Sequence, residues 1–463
     1  FRTAQLAGNP QSKNMNNPKS RAQGASDARR VAVVGGGISG VAAAHRLAES
    51  VDVTLFEAQR RLGGHTDSHS VWVEDKVYTI DTGFVAFHPS GHASFCQWLA
   101  QIGVPTQRTD MTFSVRADEE ALEYSTIGWR TFFSSSELLF SLKHWRLLWD
   151  WQRFHMEAPK AAEHQGLLNA GEYFRQNNYS ERFVQQHMAP LCAALWAQSQ
   201  ASALETPLQH LASIVQNQKI FQHPTQSLWQ VVSGGASQYL EVFAEQFPGD
   251  IRCNSKVLRV LRTDSSVVLE TEHESMEFDA VVMACHSDQA LQALVEPNAA
   301  ESSVLGSIKY MDNQVVLHGD AAYMPRDPRN WSSWNARIDA QTGRSETTYW
   351  MNRVQGIRGP QFFITLNPQN TPKRIWTERK YRHPVLDADA YQAQQRRAQV
   401  NGLDRTFYCG AYWGMGGHED GFRSGVDAAE QLLAKLPTLS RSAEQGRSGF
   451  AVDMGNADQS QGG

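Results

Sequence analysis

The sequence predicts an α/β fold, and three neighbouring features near its start indicate it. An apolar run from Val31 to Val34 predicts a buried strand, and the stretch Val41 to Leu47 predicts the helix that follows. A second apolar run, Val51 to Phe56, predicts another strand that ends directly before Glu57. A strand, a helix and a strand in this order are typical of a parallel sheet covered by helices.

Three glycines between the first strand and the helix indicate a dinucleotide site. Gly35 permits a tight turn, Gly37 lets a pyrophosphate approach bare backbone, and Gly40 lets the helix pack closely on the strand. The helix N-terminus offers N–H groups and partial positive charge to the phosphates, and Glu57 can accept both hydroxyls of an adenosine ribose. The sequence therefore predicts a Rossmann-like domain that binds FAD or NAD. The predicted contacts in this region are Gly35, Gly37, Ile38, Ser39, Gly40 and Glu57.

Composition narrows the class of protein. A chain of 463 residues exceeds what one hydrophobic core usually serves, so two domains are expected. The net charge of -5 gives no electrostatic argument for binding nucleic acid. The five cysteines are scattered without a CxxC pair, which predicts neither a disulfide framework nor a metal site and favours a reducing, cytoplasmic location. No apolar run approaches the roughly 20 residues that span a bilayer.

A second glycine motif distinguishes between the two dinucleotides. Glu57 is followed by Ala58-Gln-Arg-Arg61-Leu-Gly63-Gly64-His65, a pattern that resembles the flavin-dependent amine oxidase and phytoene desaturase-like superfamily. The resemblance implies FAD, with Arg61 facing the pyrophosphate and Gly63 and Gly64 in a loop beside the flavin. The alternative interpretation is an ordinary Gly-Gly turn that ends a strand–loop unit.

Later segments extend this resemblance over most of the chain. Ile80 to Phe84, Trp229 to Leu240 and Thr406 to Ala429 resemble further motifs of the superfamily, and the last of them is similar to its closing helix beside the flavin. His65 or Cys409 could link covalently to the flavin, although a buried strand cysteine is the simpler interpretation of Cys409. The further cofactor contacts that the resemblance implies are Ala58, Arg61, Gly63, Gly64, His65, Thr82, Gly83, Phe84, Val257, Gly410, Asp420 and Gly421.

The positions of these motifs predict a discontinuous architecture. The FAD-binding domain comprises residues 29–110, 228–295 and 400–437. The two insertions, 111–227 and 296–399, form a substrate domain. The first is mostly helical, with helices predicted at 137–155, 170–176 and 181–197, and the second is β-rich. By resemblance, they make a mixed sheet with a helical lid. Residues 1–28 are predicted to be a disordered leader and residues 438–463 a disordered tail.

The substrate class follows from resemblance rather than from spacing. Amine-oxidising members carry an aromatic residue two positions before the closing glutamate, and Gly417 occupies that position here. The chain is more similar to a bacterial subgroup of predicted NAD/FAD-binding oxidoreductases linked to lipid acyl-chain modification. That similarity implies a small apolar or lipid substrate. Candidate pocket residues, which alternatively fill an ordinary core, are Trp196, Trp334, Trp350 and Trp413.

Three side chains near the closing helix are candidate catalytic residues. His418, Glu419 and Asp420 could supply the base that takes a proton while a hydride leaves the neighbouring carbon. Alternatively, the two acids cap the helix and the histidine is structural. Four functional classes remain open: an FAD-dependent desaturase-like dehydrogenase, a flavin amine oxidase, a double-bond isomerase without net redox, and a flavin-binding protein without chemistry. The sequence does not identify the electron acceptor.

One segment bears on membranes. Residues 138–154 are apolar around most of the predicted helix, with Lys143, Arg146 and Arg153 interspersed. Aromatic side chains beside cations suit a lipid interface, so the segment predicts a peripheral membrane contact. A lid helix buried against its neighbours would show the same pattern.

Overall fold

The computed structural model describes residues 29–118, 122–164, 168–196, 203–215, 227–339 and 344–447. The predicted leader, residues 1–28, lies outside these ranges. The structure confirms the α/β class, because a parallel sheet covered by helices is combined with a second, mixed sheet. None of the helices within the described ranges is both long and apolar enough to cross a membrane.

Five parallel strands form the first sheet, in the order Asp250–Arg252, Asp52–Phe56, Arg30–Val34, Ala280–Met283 and Thr406–Tyr408. The central strand is buried on both faces. Val31 and Val33 belong to one apolar cluster, whereas Ala32 and Val34 belong to another. Burial on both faces explains why this strand is a continuous apolar run rather than an alternating one.

Two helices pack against each other beside this sheet. Ile38–Leu47 follows the central strand, and His418–Arg447 is the last helix that the structure describes. A Cβ atom at Gly425 would collide with the backbone oxygen of Ser39, so the absence of a side chain there permits the close approach. This helix continues to Arg447, past residue 438, where the disordered tail was predicted to begin. Residues 448–463 lie outside the described ranges.

Seven strands form the second sheet, in the order Ile375–Pro384, Tyr310–His318, Phe363–Leu366, Ser345–Trp350, Trp334–Ile338, Phe113–Ala117 and Leu122–Ser125. The sheet is mixed, because Phe113–Ala117 runs parallel to Trp334–Ile338 while the other pairs are antiparallel. The first insertion therefore contributes two strands to a sheet that was predicted from the second insertion. The proposed domain boundaries themselves stay a prediction.

Helices of the first insertion cover one side of the second sheet. The helix predicted from residue 137 to 155 is divided into Ser136–Leu139 and Leu142–His164, and Ala170–Gln176 is a helix as predicted. A π-helical turn, Val184–Met188, interrupts the helix predicted from residue 181 to 197. The other helices of the insertion are Trp129–Phe132, Glu181–Phe183, Ala189–Trp196 and Leu208–Val215.

Smaller elements connect the two sheets. The remaining strands are Ser68–Val73, Lys76–Asp81, Ala86–Phe87, Thr106–Arg108, Gln230–Val232, Arg259–Arg262, Val267–Glu270 and Ser275–Phe278. The remaining α-helices are Ala93–Ile102, Gln238–Gln246, Ser287–Ala293, Ala299–Gly306, Met351–Val354 and Ala388–Gln395. The hairpin Ser68–Val73 with Lys76–Asp81 packs its Ile80 and Val71 on the second sheet.

Candidate functional site

A cavity of about 740 Å³ lies where the two sheets meet. The first sheet contributes Val34, Phe56 and Met283, at or beside the carboxyl ends of their strands. The second sheet contributes Val315 and Ile364. Ligands of open α/β sheets bind outside the carboxyl ends of the strands, so this cavity is the candidate functional site.

The first glycine turn forms one end of the cavity. Gly35 has a φ of +113°, and a Cβ atom there would lie 2.9 Å from the carbonyl carbon of Ala284. A Cβ atom on Gly37 would meet no atom within 4 Å, because this residue faces the open cavity. No side chain caps the helix that begins at Ile38, and its first turn carries no acid. Its free N–H groups and positive dipole therefore fit a pyrophosphate.

Glu57 lies next to this turn, as predicted. Its carboxylate is buried and accepts hydrogen bonds from the backbone N–H of Gly36 at 2.7 Å and of Gln59 at 2.7 Å. Each carboxylate oxygen retains a further lone pair, and Glu57 lines the cavity. The backbone thus holds the carboxylate where a ribose hydroxyl can donate to it.

Arg61 binds protein groups beside the glycine loop. Its guanidinium donates to the carbonyl oxygens of Leu62 and Thr66 and pairs with the buried Asp67 at 2.8 Å. Arg61 is not among the residues that line the cavity. These contacts close the loop after Glu57, and the contact of Arg61 with the pyrophosphate stays a prediction.

The other predicted cofactor contacts divide into two groups. Most of them line the cavity, namely Ile38, Ser39, Ala58, Gly63, Gly64, His65, Thr82, Gly83, Phe84, Val257 and Gly410. Gly40, Asp420 and Gly421 do not line it. Gly40 instead packs against the backbone of Gly35, and Gly421 against Ile38 and Ser39, so these two glycines shape the cavity from behind.

The three candidate catalytic residues differ in whether they line the cavity. Both oxygens of Glu419 accept from the backbone N–H groups of Ser94 and Phe95, at the start of helix Ala93–Ile102. Asp420 accepts from the backbone N–H groups of Met415 and Gly417, at 3.0 Å each. Neither carboxylate lines the cavity, and the contacts of both favour capping roles. Their catalytic role stays a prediction.

His418 does line the cavity, in an aromatic setting. Its ring stacks on Phe84 with centroids 3.6 Å apart, and its Nε2 lies 3.3 Å from the hydroxyl of Tyr239. Burial holds the pKa of His418 well below its usual value, so the ring is neutral near pH 7. A neutral ring stacked in this way is suited to form a wall of the site. It is less suited to an ionic contact with a ligand.

Three further histidines meet in the cavity. The ring centroid of His65 lies 6.1 Å from that of His286 and 4.9 Å from that of His383. Burial lowers the pKa of His286 to about 4 and that of His383 to about 3, and it also lowers the pKa of His65. The cluster is therefore uncharged at neutral pH and lends the cavity hydrogen-bonding atoms without charge.

His65 has one nitrogen available to a ligand. Its buried Nε2 has no hydrogen-bond partner among the described residues. In a neutral histidine whose proton is on Nδ1, Nε2 carries a free lone pair that can accept a proton or a hydrogen bond.

The neutral histidines predict how stability depends on pH. In the unfolded chain a histidine binds its proton below about pH 6.5, whereas buried His383 does so only near pH 3. The unfolded state thus binds more protons between these values, and stability falls as the pH is lowered through this window. We expect His383→Gln to reduce the slope of the unfolding free energy against pH by about 1.4 kcal/mol per pH unit between about pH 6.5 and 4.5.

Urea unfolding at saturating FAD across this pH range measures that slope. The matched control is His273→Gln, which alters a histidine exposed on a turn. Equal slopes for His383→Gln and the unaltered protein would show that His383 takes up its proton normally in the folded state.

The predicted tryptophans are only partly brought to the site. Trp334 lines the cavity. Trp350 is not in the lining and donates its indole N–H to Gln361 at 2.7 Å, and Trp413 packs beside Tyr412 in a separate apolar cluster. The side chain of Trp196 lies outside the described residues. Cys409 is buried and outside the lining, and burial raises the pKa of its thiol to about 12, so it is an inert core residue.

Sequence reasoning missed several residues that the structure brings together. His286, Tyr310, Tyr381, His383 and Tyr412 all line the cavity. A signal existed for His286, because it follows the apolar strand Ala280–Met283, whose carboxyl end faces the site. His383 lies on a strand of the second sheet, Ile375–Pro384. Because this strand is rich in charged residues, its sequence did not indicate that His383 lines a cavity.

Comparison with known proteins identifies the family. A model of the flavin containing amine oxidoreductases matches residues 38–318 of this chain. The chain belongs to this family, which confirms the resemblance found in the sequence. The protein is an FAD-dependent oxidoreductase, and the glycine turn, the uncapped helix and Glu57 are the features that fit FAD.

Individual relatives differ in how much of the chain they match. Carotenoid phi-ring synthase of Streptomyces griseus is 47% identical over 72 residues, and the chain covers 14% of that protein's length. Fatty acid isomerase from P. acnes has a similar fold, with a TM-score of 0.61 and 15% identity over 88% of this chain and 98% of that one. Cyclohexylamine oxidase from Brevibacterium oxydans has a TM-score of 0.61 and 14% identity over 89% of this chain and 100% of that one.

Proposed function

We propose that this protein removes a hydride from an apolar, acyl-like substrate, in the manner of a desaturase or dehydrogenase. The observation that carries the proposal is the charge of the cavity wall. Glu57 and Lys256 are the charged residues among those that line the cavity. Ser255, the neighbour of Lys256, donates its N–H to the Glu57 carbonyl oxygen, so both charges lie at the nucleotide end.

The far end of the cavity is apolar and formed largely by the second sheet. Its lining there includes Met111, Val315, Trp334, Ile364 and Leu366. Burying an alkyl chain against such a wall is favourable, whereas an ammonium group would be buried without a counter-charge. The wall therefore favours an acyl chain over a protonated amine. Two of the relatives, named for a carotenoid ring synthase and a fatty acid isomerase, add support from outside the chain.

The protein's own groups supply orientation and a proton acceptor. A bound flavin supplies the hydride acceptor for such a reaction. We assign the proton acceptor to Nε2 of His65, because its lone pair is buried, lacks a partner among the described residues and belongs to a ring that lines the cavity. Burial lowers the pKa of His65, so its ring is unprotonated near pH 7 and can accept a proton.

Flavin absorbance under nitrogen tests the proposal. Long-chain acyl substrates should bleach the flavin and lose two hydrogens, as measured by mass spectrometry, whereas putrescine and cyclohexylamine should not bleach it. His65→Gln should retain its FAD but bleach about 100-fold more slowly. A control change at Trp72, which is 69% exposed, should leave the rate unaltered.

Each other outcome identifies a different function. Bleaching by amines alone would establish an amine oxidase. Lipids whose double bonds shift without lasting bleaching would establish an isomerase. A flavin that no substrate bleaches and that alters no lipid would leave a binding protein without chemistry. All three results contradict the proposed dehydrogenation.

A further inference from the structure

Exposed apolar side chains concentrate at one place on the helical insertion. The turn between helices Ser136–Leu139 and Leu142–His164 carries Phe140 and Leu142, which are 82% and 85% exposed. Single exposed apolar residues are normal on protein surfaces, but a contiguous group marks an interaction site. We name this group the docking patch and define it as Trp129, Leu139, Phe140, Leu142, Trp145 and Trp149.

The helix after the turn is apolar on two opposite faces. Leu147, Trp151 and Phe154 point inward and are buried in the core of the insertion. Leu142, Trp145 and Trp149 are exposed, and their spacing of three and four residues places them on one other face. The inward face alone accounts for the packing of this helix, so packing against the other described residues does not explain the outer face.

The docking patch is held in a fixed shape. The rings of Trp129 and Phe133 stack with centroids 5.5 Å apart, and the ring of Phe133 lies 4.6 Å from that of Trp145. The indole N–H of Trp145 donates to the carbonyl oxygen of Leu139 at 2.8 Å, which ties the turn to the helix. Binding through such a preformed surface costs little conformational entropy.

Cations accompany the apolar groups. Arg130, Lys143 and Arg146 are exposed beside the docking patch. Arg146 is partly offset by its ion pair with Asp150, so Arg130 and Lys143 carry most of the positive charge. Tryptophans and cations around protruding apolar side chains are the arrangement that a bilayer interface favours, with rings at the headgroup level and charges near lipid phosphates.

We propose that the docking patch inserts Phe140 and Leu142 into the outer layer of a lipid bilayer, with Arg130 and Lys143 near its phosphates. The apolar cluster under the patch includes Trp334, which also lines the cavity. The same core cluster therefore includes buried residues of the helix that carries the patch and a residue of the cavity wall. The proposal concerns binding to lipid and stands whether or not the substrate is an acyl chain.

Vesicle flotation tests the proposal with the full-length, FAD-loaded protein. The unaltered protein should float with vesicles of mixed phosphatidylcholine and phosphatidylglycerol, and Phe140→Ser with Leu142→Ser should lower the bound fraction at least about tenfold. The matched control is Trp72→Ser with Val77→Ser, a cross-strand pair that is 69% and 55% exposed on a hairpin away from the patch. The control should bind like the unaltered protein.

A second double variant isolates the charge. Arg130→Gln with Lys143→Gln should lower binding to vesicles that contain phosphatidylglycerol by about tenfold, and alter binding to pure phosphatidylcholine much less. FAD content and the thermal unfolding midpoint, both expected to be unaltered, show that each variant is folded.

Three results would overturn the proposal. They are an unaltered protein that does not float, equal binding by the Phe140→Ser/Leu142→Ser variant, and equal loss in the Trp72→Ser/Val77→Ser control. A self-associating protein that does not float, and whose dimer dissociates in the Phe140→Ser/Leu142→Ser variant, would assign the patch to a second copy of the chain. Analytical ultracentrifugation of the same samples distinguishes these cases.

Discussion

Gly37→Val is expected to lower the affinity for FAD by about 30-fold while leaving the unfolding midpoint of the apoprotein unaltered. The backbone of Gly37 is extended, with φ of −73°, so any residue can adopt it. A Cβ atom there meets no protein atom within 4 Å, and the residue lines the cavity. The added side chain therefore occupies space only where the pyrophosphate binds, at a cost of about 2 kcal/mol.

Titration of apoprotein with FAD, followed by flavin fluorescence, measures this effect. The matched control is Gly91→Val, because a Cβ atom at Gly91 also meets nothing within 4 Å but lies on an exposed turn outside the cavity. The control should bind FAD normally. Normal FAD binding by Gly37→Val would show that the cofactor does not bind at this turn.

Leu366→Glu is expected to lower kcat/KM for an acyl substrate by about 100-fold without changing the FAD content. Leu366 is half-buried and lines the apolar end of the cavity, so a carboxylate there can be accommodated without entering the core. Packing an alkyl chain against a desolvated carboxylate costs about 3 kcal/mol. Leu366→Met, which conserves volume and polarity, should retain activity within about threefold.

The same variant separates the two substrate classes. An ammonium group would be stabilised by the new carboxylate, so an amine oxidase should lose little activity or gain some in Leu366→Glu. Steady-state assays with an acyl substrate and with cyclohexylamine, on both variants, provide the comparison. Retained or raised activity with the amine, together with no fall with the acyl substrate, would reverse the proposed assignment.

The cofactor end of the site was predictable from the sequence because its signals are local. Gly35, Gly37 and Glu57 lie within one strand–helix–strand unit, and backbone geometry restricts which residue types can occupy such turns. The fold class followed from the same unit. The closing segment, which begins with the strand Thr406–Tyr408, was also predictable because its motif resembles one in the superfamily. The structure places this strand in the same sheet.

The opposite wall was not predictable in this way, since it depends on long-range pairing. Phe113–Ala117 pairs with Trp334–Ile338, more than 200 residues further along the chain. No periodicity in the first insertion indicates which strand is its partner. His383 contacts His65 from a strand whose sequence is typical of a charged, exposed segment. Side chains placed by sheet register far along the chain leave no local pattern.

Competition for hydrogen-bond donors and acceptors bears on the charged residues that were predicted at the site. Arg61 is adjacent to the glycine loop, but nearby carbonyl groups and Asp67 satisfy it. Glu419 and Asp420 begin the closing helix, but each binds unpaired backbone N–H groups. Sequence position brings a side chain to the right region, whereas its contacts decide whether it faces a ligand.

A crystal structure of the protein saturated with FAD tests the central claim most directly. Density for the pyrophosphate should lie against the N–H groups at the start of helix Ile38–Leu47, with a ribose beside Glu57 and the flavin ring near His65 and Phe84. Density for FAD elsewhere on the protein, or none in this cavity at saturating cofactor, would contradict the account.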